Sequence, residues 1–314
     1  MAHALNSIVI PVYRNEESLL ELIESLNSIS AKNEYKLEVV FVVDGSPDQS
    51  YEYLRQKLPQ CHFSSQLLLL SRNFGSFSAI RAGLAEAKGD FFAVMAADLQ
   101  ESVELPFQFF KKLEKAECDL VFGQRNRRQD PWLSALAARL FWHSYRKWVQ
   151  REMPPGGVDI FGCNQAVRNQ ILLLNESNTT LVGLLLWIGF RRDFIEYDRY
   201  ARPYGKSAWS LRKKMKYLLD SSFAFSDLPI RFLTLMGMLG MTLSFIFGFV
   251  VVICKWLGAI PVPGYSALAI LILFFGGLNS FGLGVLGEYL WRTFENTKVR
   301  PNYIVLRKHE YNKI

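Results

Sequence analysis

Cysteine is scarce in this sequence. Cys61, Cys118, Cys163 and Cys254 are the only four in 314 residues, and their spacing fits neither a metal knuckle nor a disulfide framework. That argues against a bridge-stabilised secreted domain and suits a reducing compartment. No G-x-G-x-x-G run and no P-loop lysine motif occurs, so neither a dinucleotide nor an ATP-hydrolysing reading is supported. Internal repeats and low-complexity tracts are missing, and Met1–Asn6 leaves no room for the apolar stretch of a signal peptide. Positive charge is lacking where a general nucleic-acid binder would need it. The net charge is +7, yet residues 1–198 hold 21 basic and 24 acidic side chains. Charge of either sign is absent from Phe232 to Cys254, and again between Lys255 and Glu288.

Those two uncharged stretches, 23 and 32 residues long, are what the sequence has in place of general basicity. About 20 apolar residues cross a bilayer as a helix. Pro261, Pro263 and Gly264 interrupt the second stretch near its start. The spacing therefore predicts two transmembrane helices, over 232–255 and 265–288, joined by a short turn. Arg212, Lys213, Lys214, Lys216 and Arg231 precede the pair, and Arg292, Lys298, Arg300, Arg307 and Lys308 follow it, whereas the turn offers only Lys255. Basic flanks mark the cytoplasmic side. The expectation is an integral membrane protein of two helices in a bacterial-type inner membrane, with both large ends cytoplasmic. On this reading 209–231 is an amphipathic juxtamembrane segment and 289–314 a basic cytoplasmic tail. Trp209–Phe225 interleaves basic with apolar residues, as an interfacial helix does. Trp132–Gln150, with Trp132, Trp142 and Trp148, suits either a core helix or a membrane-facing acceptor lobe. Small residues in the helices, among them Gly237, Gly240, Gly276 and Gly284, permit close helix packing and motivate a homo-oligomer.

Residues 1–208 read as one α/β domain. Ser7–Tyr13, Leu37–Asp44, Gln66–Ser71, Phe91–Ala96 and Leu120–Gly123 are continuous apolar runs, the pattern of strands buried on both faces. Amphipathic stretches at Glu17–Ile29, Tyr51–Leu58, Phe77–Ala87 and Val103–Lys115 alternate with them. The alternation predicts a mostly parallel sheet with helices on both faces, and such sheets bind ligands beyond the carboxyl ends of their strands. The first strand runs out in Pro11-Val12-Tyr13-Arg14-Asn15-Glu16-Glu17, the second in Asp44-Gly45-Ser46-Pro47-Asp48, the third in Arg72-Asn73-Phe74-Gly75, and the fourth in Asp98-Leu99-Gln100. One aspartate after a strand is ordinarily a turn or cap residue. Two of them, closing the second and the fourth strand at one sheet edge, suggest more. Asp44 suits a base or ribose, and Asp98 with Gln100 offers hard oxygen ligands to Mg²⁺ or Mn²⁺.

In their order and spacing these segments, together with Gly89-Asp90, Arg125 and Tyr204-Gly205-Lys206-Ser207, resemble glycosyltransferase family 2. With the apolar hairpin included, the whole chain is similar to the polyprenyl-phosphate glycosyltransferases, of bactoprenol glucosyltransferase type and more distantly of dolichol-phosphate mannose synthase type. The resemblance implies a GT-A type nucleotide-sugar-binding domain. It implies donor contacts from Pro11, Tyr13, one of Glu16 or Glu17, Asp44, Asp98 and Lys206. A divalent cation would rest on Asp98 and Gln100, the acceptor phosphate on Arg125, Arg128 and Ser134, and the catalytic position would be Asp159. Two departures stand out: Ala96 occupies the place of the family's first metal-site aspartate, and Phe161 stands where arginine is common.

The implied reaction is inverting transfer of a hexose, glucose from UDP-glucose foremost, to polyprenyl (undecaprenyl) phosphate at the cytoplasmic face. A lipid phosphate is already largely anionic at neutral pH, its second pKa being roughly 6 as in phosphoserine, so it hardly needs a general base. Asp159 then reads as orienting the sugar or stabilising positive character at its anomeric carbon. Rival readings keep the fold with another donor sugar or lipid acceptor, or make the chain a non-catalytic membrane-anchored nucleotide-sugar sensor. Processive synthases usually carry Gln-x-x-Arg-Trp, and no such run occurs here.

Overall fold

The structure, a computed structural model, describes residues 4–31, 36–125, 145–147, 150, 152–154, 158–176, 178–200, 203–204, 211–257 and 264–312. The five apolar runs form β1 (Leu5–Val12), β2 (Lys36–Val43), β3 (Ser64–Leu70), β4 (Phe91–Val94) and β5 (Leu120–Arg125). The amphipathic stretches between them form α1 (Glu16–Ser30), α2 (Ser50–Lys57), α3 (Ser76–Glu86) and α4 (Leu105–Glu114). Three further strands complete the sheet: β6 (Val158–Asn164), β7 (Arg192–Tyr197) and β8 (Val305–Tyr311). The remaining helices are α5 (Gln165–Leu173), α6 (Leu181–Trp187), α7 (Leu211–Phe225), α8 (Leu228–Trp256) and α9 (Tyr265–Thr297).

The eight strands lie in the order β7-β5-β6-β4-β1-β2-β3-β8. Pairs β1–β2, β2–β3, β1–β4 and β5–β7 are parallel, while β6 and β8 run antiparallel to their neighbours. Strand side chains alternate between two cores, as the period of two requires. Ile8, Ile10, Val12, Val39, Phe41 and Val43 join the core under α1, α2 and α4. Val9, Val40 and Val42 join the other, with residues of α3, α5 and α6. Each of these strand residues is fully buried, which is why the strands read as unbroken apolar runs. From β1 the chain winds outward to β2 and β3, then returns to β4 on the other side of β1. That reversal opens a crevice at the carboxyl ends of β1, β2 and β4.

The Gly89-Asp90 pair lies at the opposite, amino-terminal edge. Asp90 Oδ2 accepts from the Leu5 amide at 3.0 Å, and the Gly89 amide donates to Ser7 Oγ at 2.9 Å. This part of the motif is scaffold.

Among the described residues one helix, Leu228–Cys254 within α8, is long and apolar enough to cross a membrane. It covers the first expected span. The second expected span falls within α9, a helix of 33 residues whose last third carries Glu288, Arg292 and Glu295. The two helices pack antiparallel. Phe232 meets Phe281 edge-on with ring centroids 6.1 Å apart, and Gly240 faces Phe275. The stretch expected to lie at the interface forms α7 over Leu211–Phe225. Gly183 on α6 lets it dock, because a Cβ there would lie 2.2 Å from the Phe225 ring. Arg292 binds α9 to the domain: it pairs with Asp220 of α7 at 2.9 Å and with Glu288 at 2.8 Å, and donates to the Asn178 carbonyl at 3.1 Å.

The basic tail ends in a strand. Ile304 O accepts from the Ser71 amide at 3.0 Å, and β8 then pairs along β3. Lys308 pairs with Glu86 at 2.6 Å and with Glu310 at 2.7 Å. Ser71 follows β3 directly, so the chain comes back from α9 to the carboxyl edge of the sheet. It leaves for α7 from the carboxyl end of β7, on the same edge.

Candidate active site

Two loops at the carboxyl edge lock each other in place. Asp48 Oδ2 accepts from the Glu16 amide at 3.3 Å, and Glu16 Oε2 accepts from the Gln49 amide at 3.0 Å. Each acidic side chain thus satisfies an otherwise unbonded N–H at the start of the other loop's helix. The Arg14 amide donates to Ser46 Oγ at 2.8 Å, with Arg14 itself in the left-handed region at φ 57°. Burial works to raise the Asp48 carboxyl, but hydrogen bonds from Ser46, Ser50 and the Glu16 amide hold it below its ordinary value.

Asp44 is buried, 2% exposed. Its Oδ1 accepts from the Phe74 amide at 2.7 Å and its Oδ2 from the Gly75 amide at 2.8 Å. One carboxylate therefore pins the loop that leads into α3. Gly45 makes the same join sterically possible. It sits at φ +57°, and a Cβ would fall 2.4 Å from the Arg72 carbonyl carbon. Arg72 stacks its guanidinium 4.0 Å over the Phe74 ring on the outer side of this loop. Pro11 and Tyr13 are half-buried at the crevice, and Glu17 is exposed at the start of α1.

The loop after β4 is tied to α1 through Ser18, whose Oγ donates to the Ala97 carbonyl at 2.6 Å. Asp98 follows, then Leu99 at φ 55°. The backbone reverses there and brings the Gln100 amide to 3.4 Å from Asp98 Oδ1. The Gln100 side chain is held at both ends. Its Oε1 accepts from Arg199 Nη2 at 2.6 Å and its Nε2 donates to the Tyr200 carbonyl at 3.2 Å. The Tyr200 amide in turn donates to the Gln100 carbonyl at 2.9 Å. Glu101, its side chain 1% exposed, lies 3.7 Å from Arg199 Nε. Tyr197 and Arg125 close this wall from the ends of β7 and β5. Burial, together with the Glu101 carboxylate, pushes the Tyr197 phenol up, while a hydrogen bond with Arg125 opposes it.

The structure thus gathers Pro11, Tyr13, Glu16, Glu17, Asp44, Asp98, Gln100 and Arg125 along one edge. Asp159 belongs to β6, whose start pairs with the end of β5 through Val158 and Gln124, so its backbone reaches the same edge. The Asp159 side chain lies outside the description, as do Arg128, Ser134 and Lys206. Phe161 is buried in the second core, so no cation stands there. Sequence reasoning assigned nothing to Asp48, Glu101, Tyr197 or Arg199. Asp48 had a usable signal, a second aspartate four residues after the first. Arg199 and Glu101 lie 98 positions apart and had none. Among the described residues no three His, Cys, Asp or Glu side chains gather as a metal site. Asp98 and Gln100, the expected cation ligands, lie two residues apart on this loop, the Gln100 amide 3.4 Å from Asp98 Oδ1.

Comparison with known proteins bears on what this edge does. Residues 7–173 match glycosyl transferase family 2. The chain is 32% identical over 307 residues to the SfII prophage-derived bactoprenol glucosyl transferase of Shigella flexneri, covering 98% of this chain and 99% of that one. It is 33% identical over 303 residues to an uncharacterized glycosyltransferase of Synechocystis sp., covering 95% and 94%. Among solved structures, glucosyl-3-phosphoglycerate synthase from Mycobacterium tuberculosis aligns at 16% identity and TM-score 0.48, over 70% of this chain and 81% of that one.

Proposed function

The chain belongs to glycosyl transferase family 2, and from that membership we propose that it transfers a hexose from a nucleotide sugar to polyprenyl phosphate at the cytoplasmic membrane face. It is a glycosyltransferase on a GT-A type α/β sheet. One observation carries the acceptor assignment. The apolar helices leave the sheet after β7 and return to it at Ile304, beside Ser71, both on the carboxyl edge that holds Asp44 and Asp98. A soluble acceptor requires no such arrangement. An acceptor whose tail stays in the bilayer does, because its phosphate must reach the donor crevice. The bactoprenol glucosyl transferase of Shigella flexneri matches over the hairpin as well as the domain, which favours glucose from UDP-glucose as the donor and a two-helix membrane anchor over α8 and α9.

The residues divide the work. Pro11 and Tyr13 flank the base. Glu16 is committed to the Gln49 amide, so Glu17 is the glutamate for the ribose. Asp44 acts chiefly by fixing the Phe74–Gly75 loop against the nucleotide. A divalent cation, Mg²⁺ or Mn²⁺, fits with Asp98 and Gln100 if the donor diphosphate supplies its other oxygens, and it would offset negative charge on the departing nucleoside diphosphate. Arg125, with Arg128 and Ser134, receives the acceptor phosphate, and Lys206 the donor's. Electrostatic stabilisation of the leaving group is the main task of such basic side chains. Asp159 orients the sugar and stabilises positive character at its anomeric carbon. Exposed faces of α8 and α9, with Gly276 and Gly284 open to a neighbour, favour a homo-oligomer.

The test is transfer itself. Purified protein, undecaprenyl phosphate, Mg²⁺ and radiolabelled UDP-glucose should put label into the organic phase, and Asp159→Asn should abolish this while leaving UDP binding intact. Transfer only from another nucleotide hexose would replace the donor. No transfer from any nucleotide hexose would refute the reading in favour of a sensor.

A further inference from the structure

The Gln100 clasp joins two walls of the crevice that have different tasks. Gln100 belongs to the loop after β4, beside Asp98, whereas Arg199 and Tyr200 belong to the segment leaving β7, next to Tyr197 and Arg125. The orientation of the carboxamide is chemically fixed. Its oxygen meets a guanidinium at 2.6 Å and its nitrogen meets a carbonyl at 3.2 Å, and a flipped amide would set donor against donor and acceptor against acceptor. Arg199 is itself braced by the buried Glu101 carboxylate at 3.7 Å. The carboxamide oxygen has a second lone pair, but a guanidinium held 2.6 Å from it repels a divalent cation approaching the same oxygen, so the two compete for it.

We propose that Arg199 is a positioning residue that withholds Gln100 from the cation site, so that cation and nucleotide bind only by exchanging the Arg199–Gln100 hydrogen bond for a Gln100–cation contact. This rests on the reading of Asp98 and Gln100 as the cation site. The exchange loosens the segment at 199–200 as the donor arrives and releases one edge of the Arg199 fork into the crevice, where a phosphate can take it. Occupation of the donor side is thereby coupled to the wall that bears Arg125. Reciprocity follows from linkage: whatever favours release of Arg199 also tightens the cation.

The prediction is a gain, which general damage to the fold would not produce. Mn²⁺ binding in the presence of UDP is read by the loss of the free-ion paramagnetic resonance signal, on the full-length protein in mild detergent. A charge-assisted hydrogen bond contributes enough that Arg199→Met should tighten Mn²⁺ by about tenfold. Removing a positive charge near a cation site would also tighten it through space, so the same substitution is made in a Gln100→Ala background. There the gain should vanish, since no carboxamide remains to be released. Arg199→Lys keeps the charge but loses the fork, and should fall between wild type and Arg199→Met. It decides the matter alone if Arg199→Met does not fold. An unchanged or weaker Mn²⁺ affinity in the folded variants, or a gain that persists without Gln100, overturns the proposal and leaves the cation site standing. Wild-type protein that binds no Mn²⁺ with UDP, or a Gln100→Ala variant that binds it as wild type does, overturns the cation site and the proposal with it.

Discussion

Asp44→Asn separates scaffold from ligand contact. The wild-type carboxylate is 2% exposed and receives two main-chain N–H groups at 2.7 and 2.8 Å. Asparagine keeps one acceptor oxygen and turns an NH₂ toward the other amide. One charge-assisted hydrogen bond, about 1.5–3 kcal/mol, is lost, and one buried amide is left unsatisfied at about 1–3 kcal/mol. These terms overlap, so the expected cost is about 3 kcal/mol. For a domain of this size each kcal/mol moves the melting temperature by about 2–4 °C, giving a fall of about 6–12 °C. Intrinsic tryptophan fluorescence during heating in mild detergent reads this without ligand, and titration calorimetry with UDP reads binding on the folded variant. UDP affinity should fall as well, because the Phe74–Gly75 loop, proposed to border the nucleotide, is no longer pinned. A variant that melts within a degree of wild type while losing UDP affinity would refute the argument, since Asp44 would then be a ligand contact first.

Three other outcomes follow from the same geometry. Gly45→Ala forces a Cβ to 2.4 Å from the Arg72 backbone at φ +57°, a left-handed strain of about 1–2 kcal/mol plus a backbone clash. It should lower the melting temperature at least as much as Ser46→Ala does, and a neutral result would contradict the close join of the two loops. Arg292→Met strips Asp220, 15% exposed at its side chain, of its cation. Breaking a mostly buried pair of this kind costs about 2–3 kcal/mol, and Arg292→Met with Asp220→Leu should recover part of the lost melting temperature. Hydrogen bonds from Lys308 and Lys88 hold the Glu310 carboxyl down at about 2, against an ordinary 4.5. A depressed carboxyl stabilises above its unfolded value and loses that effect as pH falls toward its folded one. Protection of β8 from proteolysis by pepsin should therefore weaken between pH 4.5 and about 2 in wild type. In Glu310→Gln it should be weaker at the upper end and change less across that window.

What the sequence disclosed follows from burial. Strands β1 to β5 are covered on both faces and read as apolar runs, so all five were found with their helices. Strands β7, Arg-Asp-Phe-Ile-Glu-Tyr, and β8, Val-Leu-Arg-Lys-His-Glu-Tyr, lie at the two edges of the sheet. Charged residues interrupt both strands, so neither reads as a continuous apolar run. Strand β6, Val-Asp-Ile-Phe-Gly-Cys-Asn, has its apolar run broken by Asp159 and Gly162 and follows a long segment with no strand pattern. The site was legible where turn chemistry is local, at Asp44-Gly45-Ser46 and Asp98-Leu99-Gln100. It was illegible where the partner is remote. Asp44 meets amides 30 positions away, and Gln100 meets a guanidinium 99 positions away. Such pairings are set by strand order, which only the fold supplies.

The fold also changes what the positive charge after the membrane segment does. Arg292, Lys298 and Lys308 were counted with the cytoplasmic flank, where each basic residue near an anionic leaflet contributes about 1 kcal/mol. All three are engaged within the protein. Arg292 is held by Asp220 and Glu288, Lys298 by Glu295, and Lys308 by Glu86 and Glu310. A cation already satisfied by a carboxylate attracts a lipid phosphate weakly, because the pair presents little net charge beyond a Debye length of about 8 Å. Arg292 and Lys308 therefore fasten α9 and β8 to the rest of the protein. Attraction of an anionic acceptor is proposed instead for Arg125, at the end of β5. Neutralising Arg292 or Lys308 should act on stability through the ion pairs each makes, and neutralising Arg125 on the proposed phosphate binding.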